Sequence, residues 1–269
     1  MPTCRVMGIV NVTPDSFSDG GRFDVFDAAL AHARKLIADG ADILDIGGES
    51  TRPGAEPVSE AEEIDRTAPL IGAIRAESAV PISIDTMKPA VARAAARAGA
   101  GLWNDVTALG GSPDSLTTAA ELGCEMVLMH MQGDPRTMQQ APLYGDVVGE
   151  VTSFLAERAR AAMAAGVARE RIWLDPGIGF GKTLEHNLQL LRHLDRLVAL
   201  GFPVLYGASR KSSIARIDPT ATSAGDRLGG SLAFALAAAR AGAAAVRVHD
   251  VRETKQALAV QAAILEPIQ

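Results

Sequence analysis

The chain has 269 residues, with 26 Lys and Arg against 32 Asp and Glu, a formal charge of −6. Hydrophobic residues at 48% and charged residues at 22% exclude a disordered chain, and no apolar run reaches the ~18 residues of a membrane-spanning helix. The acidic balance argues against nucleic acid as a partner, and the length suits a single α/β barrel of ~250 residues.

Strand-like and helix-like segments alternate from end to end. Residues 5–11 (RVMGIVN) form a short apolar run. Residues 27–38 then place Leu30, Ala33, Leu36 and Ile37 on one helical face, with Gly40 as a stop. A strand is predicted over 41–46 and a helix over 59–76, where Ser59 and Glu62 have capping-box spacing. The pattern predicts strands over 81–85, 102–105, 125–130, 171–175, 203–206 and 244–249. Helices are predicted over 89–97, 112–122, 146–165, 184–199, 225–241 and 252–265. Strands separated by helices pair in parallel, because parallel neighbours need a crossover. About eight such units in one domain spanning 1–269 predict a closed (β/α)8 TIM barrel rather than an open doubly wound sheet.

Barrel enzymes place their chemistry where strands end. The predicted ends carry, in order, Asn11; Asp45 with Glu49; Asp85; Asn104 and Asp105; His130; Asp175; Ser209-Arg210-Lys211; and Arg247 with His249. Any one of these is an ordinary turn or capping residue. Eight in succession point to one ionisable rim. Strand periodicity puts Arg247 and His249 on one face, Asp85 with Ser83, and Asp175 with Trp173. Asp85, Asn104 and Asp175 are acceptors for a donor-rich flat heterocycle. Lys211, Arg247 and His249 are donors for an oxyanion or phosphate. Asn11 offers a neutral oxygen to a hard cation such as Mg2+. Two connections, 13–24 and 50–58, are long for βα loops and read as lids over the mouth, the second bringing Arg52.

The other features read as structural. His130 is expected to support the site through a hydrogen bond, and Asp45 and Glu49 to tie the lid base. Gly177, Gly179 and Gly181 suit a tight turn, and His32, His186 and His193 are expected to face solvent. Cys4 and Cys124 are the only cysteines and lack metal spacing. With no basic segment leading into an apolar one at the N-terminus, a cytoplasmic location is expected.

Eight segments carry a resemblance: MGIVNVTPDSFSDGG (7–21), GADILDIGGESTRPGA (40–55), PISIDT (81–86), GLWNDV (101–106), MHMQGDPRTMQ (129–139), LDPGIGFGKT (174–183), GASRKS (207–212) and RVHDV (247–251). In this order they resemble the dihydropteroate synthase family of folate biosynthesis. The resemblance implies a (β/α)8 barrel, usually a homodimer. It implies a Mg2+-dependent reaction that joins 4-aminobenzoate to a hydroxymethyl-dihydropterin diphosphate and releases pyrophosphate. Asp85, Asn104, Asp175 and Lys211 match the family's pterin pocket. Asn11, Arg247 and His249 match its pyrophosphate site, and Asn11 its Mg2+ ligand. Thr51, Arg52 and Pro53, with Phe180, Lys211 and Ser212, match its aminobenzoate side.

Two positions depart from the family pattern: Ser213, where relatives often carry an aromatic, and Tyr206 before Gly207. Both are expected beside the aminobenzoate. A methyltetrahydrofolate-binding methyltransferase barrel would share the acceptors but has no use for the anion site. A non-catalytic pterin-binding paralogue would have lost the lid or cation residues present here.

Overall fold

The computed structural model describes residues 4–12, 22–50, 57–133 and 137–265. Eight parallel strands form the barrel: β1 (Arg5–Asn11), β2 (Ile43–Gly47), β3 (Ile82–Asp85), β4 (Leu102–Asp105), β5 (Glu125–Met129), β6 (Ile172–Asp175), β7 (Leu205–Tyr206) and β8 (Ala245–Val248). They hydrogen-bond in the order β6-β5-β4-β3-β2-β1-β8-β7. The ring closes between β6 and β7 through one parallel bridge, Leu174 to Val204, supported by Leu174 N–H donating to the Pro203 carbonyl at 2.9 Å.

The described helices are α1 (Arg22–Ala38), α2 (Glu60–Glu77), α3 (Pro89–Ala98), α4 (Ser115–Leu122), α5 (Val147–Ala164), α6 (Leu184–Arg192), α7 (Leu194–Val198), α8 (Ser212–Ile217), α9 (Leu228–Arg240) and α10 (Val251–Leu265). Their ends follow from local chemistry. The Ser59 hydroxyl accepts the Glu62 N–H and starts α2. Gly99, at φ 115°, ends α3 in the left-handed region that glycine adopts freely. Thr183 and His186 cap the first turn of α6 reciprocally.

The predicted helix over 184–199 is two helices. His193 leaves helical geometry at φ −118°, ψ 29°, and the turn it makes lets Leu194 and Leu197 bury themselves, although no proline or glycine marks the break. The helix over 225–241 opens as a 3-10 turn, Gly225–Arg227. The short α8 went unpredicted because its six residues span too few turns to show a period.

Alternation along the strands builds two cores. Outward residues such as Val6, Leu44, Ile84, Trp103, Leu128, Leu174 and Val246 pack under the helices. Inward, Met7, Ile43, Leu102, Val127, Trp173, Leu205 and Ala245 form a separate apolar floor across the barrel. The Arg5 guanidinium lies 4.5 Å from the Trp173 ring, whose Nε1–H donates to Glu125 at 2.5 Å. This floor positions the site. Two residues further along the same inward faces stand Asp45, Asn104, Asp175 and Arg247, one layer above Ile43, Leu102, Trp173 and Ala245.

Candidate active site

On the β2, β3, β4 and β8 side, one guanidinium gathers the acids. Arg247 Nε–H donates to Asp45 Oδ2 at 2.5 Å and its Nη2–H to Asp85 Oδ2 at 2.8 Å. Asn104 Nδ2–H reaches the same Asp45 oxygen at 3.2 Å. Asp45 Oδ1, Asp85 Oδ1 and the Ser83 hydroxyl are buried without a hydrogen-bond partner among the described residues. Unpaired buried polar atoms are costly, which marks this cluster as one built for something other than stability. Burial raises Asp85 to about 7; Arg247 opposes that rise and Asp45 adds to it. Burial also works against the charge of Arg247, but Asp45 and Asp85 outweigh it and hold the guanidinium firmly protonated.

The β6 and β7 side is built differently. Asp175 Oδ1 accepts the Gly177 N–H at 2.6 Å, and burial pushes this carboxyl up against that bond and the nearby charges of Lys211 and Arg247. The Lys211 ammonium donates to the Ile178 carbonyl and lies 4.7 Å from the Phe180 ring centre. Burial lowers Lys211 to about 8, with Asp175 resisting. Ser209 Oγ accepts the His249 N–H at 3.2 Å and lies 3.0 Å from His249 Nδ1. Between Ser209 and Lys211, Arg210 turns to φ 58° and sends its side chain away from both. It grips Asp250 with Nε–H at 3.0 Å and Nη2–H at 2.5 Å. This positive φ is uncommon for a non-glycine residue. It is held by Ser231, which accepts the Arg210 N–H, and by Arg227, which donates to its carbonyl.

The structure brings Asp85, Asn104, Asp175, Lys211, Arg247 and His249 to one mouth, with Asn11 at the end of β1. Phe180 joins them through Lys211. Ser212 is exposed as the first residue of α8. Thr51, Arg52 and Pro53 lie outside the described residues, as does most of the first predicted lid. Glu49 does tie the second loop's base: it accepts the Val58 N–H at 3.0 Å and pairs with Lys88 at 3.0 Å.

Other expectations are corrected. Tyr206 alternates with the floor residue Leu205, so it points outward into the helix layer and not into the barrel mouth. Ser213 is buried, accepting from Asn187 Nδ2 at 3.2 Å. His32 lies 3.2 Å by Nε2 from the Ile9 carbonyl and His186 caps α6, leaving only His193 of the three exposed. Asp45, expected at the lid base, is instead the inner anchor of Arg247. Its two-residue offset from Ile43 was the available signal.

A family model described as pterin binding enzyme matches residues 7–249. A dihydropteroate synthase of Escherichia coli (strain K12) is 49% identical over 261 residues, covering 97% of this chain and 92% of that protein. A solved Xanthomonas albilineans dihydropteroate synthase with 4-aminobenzoic acid is 52% identical, superposes with a TM-score of 0.93, and covers 98% of this chain and 94% of that one. A second structure of that organism's enzyme, in complex with 7,8-dihydropteroate, is 49% identical with a TM-score of 0.89, over 98% and 95% of the two chains. The barrel, its polar mouth and these likenesses define a pterin-binding enzyme. Within that class, the chain belongs to the dihydropteroate synthase family.

Proposed function

We propose that this enzyme is a transferase of folate biosynthesis that condenses 4-aminobenzoate with (7,8-dihydropterin-6-yl)methyl diphosphate, giving 7,8-dihydropteroate and pyrophosphate. One observation carries the reading: acceptors and a cation stand in a single layer above the apolar floor, with orphaned carboxylate oxygens among them. A pterin edge presents N–H donors suited to the Asp85, Asn104 and Asp175 acceptors of this layer.

In this reading Asp85, Asn104 and Asp175 accept from the ring and Lys211 closes the pocket. The C–O bond breaks, leaving cationic character on the pterin methylene that the ring nitrogens delocalise, and the arylamine nitrogen forms its bond to that carbon. The pyrophosphate departs with the electron pair of the broken bond, and the surplus amine proton passes to solvent. No protein nucleophile is required. Arg247 and His249 stabilise charge on the leaving group, and the mouth holds the weak amine in line. Phe180, Lys211 and Ser212, with Thr51, Arg52 and Pro53, form the aminobenzoate side.

The residues present suit Mg2+. Asn11 Oδ1 and Asp85 Oδ2 both border the space beside Gly47, each 3.8 Å from where a Cβ on that residue would sit, so oxygens line it. A hard cation takes such donors and fills its remaining positions with water and substrate phosphate. Asn11 would hold it, and the bound ion would add positive charge beside the pyrophosphate. We further propose that the enzyme is a cytoplasmic homodimer; light scattering should then give twice the chain's 28.0 kDa. The test is a two-substrate assay. Pyrophosphate should appear only with pterin diphosphate, aminobenzoate and Mg2+ together, and should stop when the metal is chelated. Full-rate release without aminobenzoate would refute the reading.

A further inference from the structure

Lys182 is 1% exposed, yet its charge has no role in the chemistry above. It ends the glycine-rich loop that joins β6 to α6, and its side chain turns back beneath that loop. The ammonium donates to the carbonyls of Phe180 at 2.9 Å, Gly177 at 3.0 Å and His130 at 3.2 Å. It also lies 2.9 Å from His130 Nδ1. Among the described residues no carboxylate pairs with it. Burial draws the lysine down to about 7, with Asp175 opposing, and draws His130 down to about 3, so the imidazole is neutral and free to accept.

Burying a cation without a carboxylate is unfavourable, and an apolar side chain of similar volume is often neutral or stabilising in such a place. Packing alone therefore gives no reason for a lysine here. The carbonyls supply one, because each backbone oxygen from Gly177 to Gly181 has an assigned donor. Gly177 and Phe180 face Lys182; Ile178 faces Lys211; Gly179 faces Gln139; Gly181 accepts from Tyr144 at 2.8 Å. Gly177, at φ 68°, runs so close to the β5 end that a Cβ would fall 1.9 Å from the His130 carbonyl. Lys182 thus ties two strand ends together from below. The loop it shapes offers Lys211 a carbonyl and an aromatic face from above.

We propose that Lys182 is a positioning residue for the aminobenzoate side. By turning the Phe180 carbonyl downward it leaves the Phe180 ring and the Ile178 carbonyl to fix the Lys211 ammonium. Of the pterin pocket, Asp85 and Asn104 are held from other strands, while Asp175 and Lys211 touch this loop and are shared with it. This inference rests on the proposed reaction.

The test compares Lys182→Met with the unsubstituted enzyme in the pyrophosphate assay. Calorimetry with a dihydropterin lacking the diphosphate reads the pterin pocket separately. The expected result is a rise of tenfold or more in the KM for aminobenzoate, with kcat at saturation within threefold and a pterin Kd that rises much less, about threefold at most, because Asp85 and Asn104 still hold the ring. An unchanged aminobenzoate KM, or equal loss on both substrates, overturns the proposal. If Lys182→Met does not fold, His130→Leu removes the ring acceptor while keeping an apolar side chain against Phe154, and should raise the aminobenzoate KM about threefold to fivefold with a smaller change in pterin Kd. No rise there overturns the proposal equally. An unsubstituted enzyme that released no pyrophosphate would instead count against the reaction, which keeps the two failures apart.

Discussion

The two sides of the barrel mouth hold their positive charges by opposite means. Around β2, β3 and β8, Arg247 is clasped by Asp45 and Asp85. Beside β6 and β7, Lys211 and Lys182 rest on carbonyl oxygens, and Asp175 accepts from a backbone amide rather than a cation. The choice of residue explains the division. A guanidinium cannot shed its proton and forms two directed bonds, so a buried one needs carboxylates. An ammonium shifts its pKa when desolvated and can be satisfied by dipoles alone. The first side is therefore fixed in charge, whereas the second is tunable and leaves Asp175 open to ligand.

Four experiments sharpen or break this contrast. The largest effect is expected from Arg247→Ala, which removes an anion contact and strands two buried carboxylates. The barrier should rise by about 2–4 kcal/mol. Affinity for the diphosphate-bearing pterin should fall far more than affinity for the bare ring, and chemical denaturation should show about 3–5 kcal/mol of lost stability. Equal losses for both pterins would remove Arg247 from the anion site.

Next comes the alkaline limb. Lys211, lowered to about 8, is charged below that pH and neutral above it. The kcat/KM for aminobenzoate, a carboxylate, should fall about tenfold per pH unit above that point, since one proton is lost. Arg247 contributes no such limb. A profile flat to pH 10 would contradict the tunable side.

Smaller is Asp45→Asn, which keeps an acceptor for Arg247 but removes a charge. We expect about a tenfold loss of kcat/KM, of the size of one charged hydrogen bond. The Asp85 carboxyl, followed by NMR titration, should move down from about 7, because a neighbouring negative charge has gone. An upward move would mean that Asp45 does not act on Asp85 as the geometry requires. Smallest is Arg210→Lys. It retains charge but loses the two-pronged grip on Asp250, and should cost about threefold in kcat/KM through looser placement of Ser209 and Lys211. No change at all would show that the Arg210 turn is held by its backbone bonds alone.

Much of this arrangement could be read before any coordinates. Inward and outward faces follow from strand periodicity, and each strand end announced its polar residue. The contacts across the ring were hidden. Arg247 and Asp45 are 202 positions apart and meet only because β8 lies beside β1 and β1 beside β2. Local pattern carries no record of which acid a guanidinium will choose. Lys182 was hidden for another reason. A lysine after a glycine-rich turn ordinarily faces water, and only the left-handed backbone of Gly177, Gly179 and Gly181 gathers enough inward carbonyls to keep it buried. Tyr206 was misplaced because β7 is two residues long, too short for its alternation to be read.

That brevity has a consequence of its own. Seven neighbouring strand pairs are laced by continuous ladders, but the last junction is a single stitch between Leu174 and Val204. Breathing of the wall should begin there, and amides along this seam should exchange with deuterium sooner than those of β1 or β2. Asp175 and the approach to Lys211 flank the stitch, so the weakest line of the cylinder opens beside the half of the mouth that must admit and release its guests.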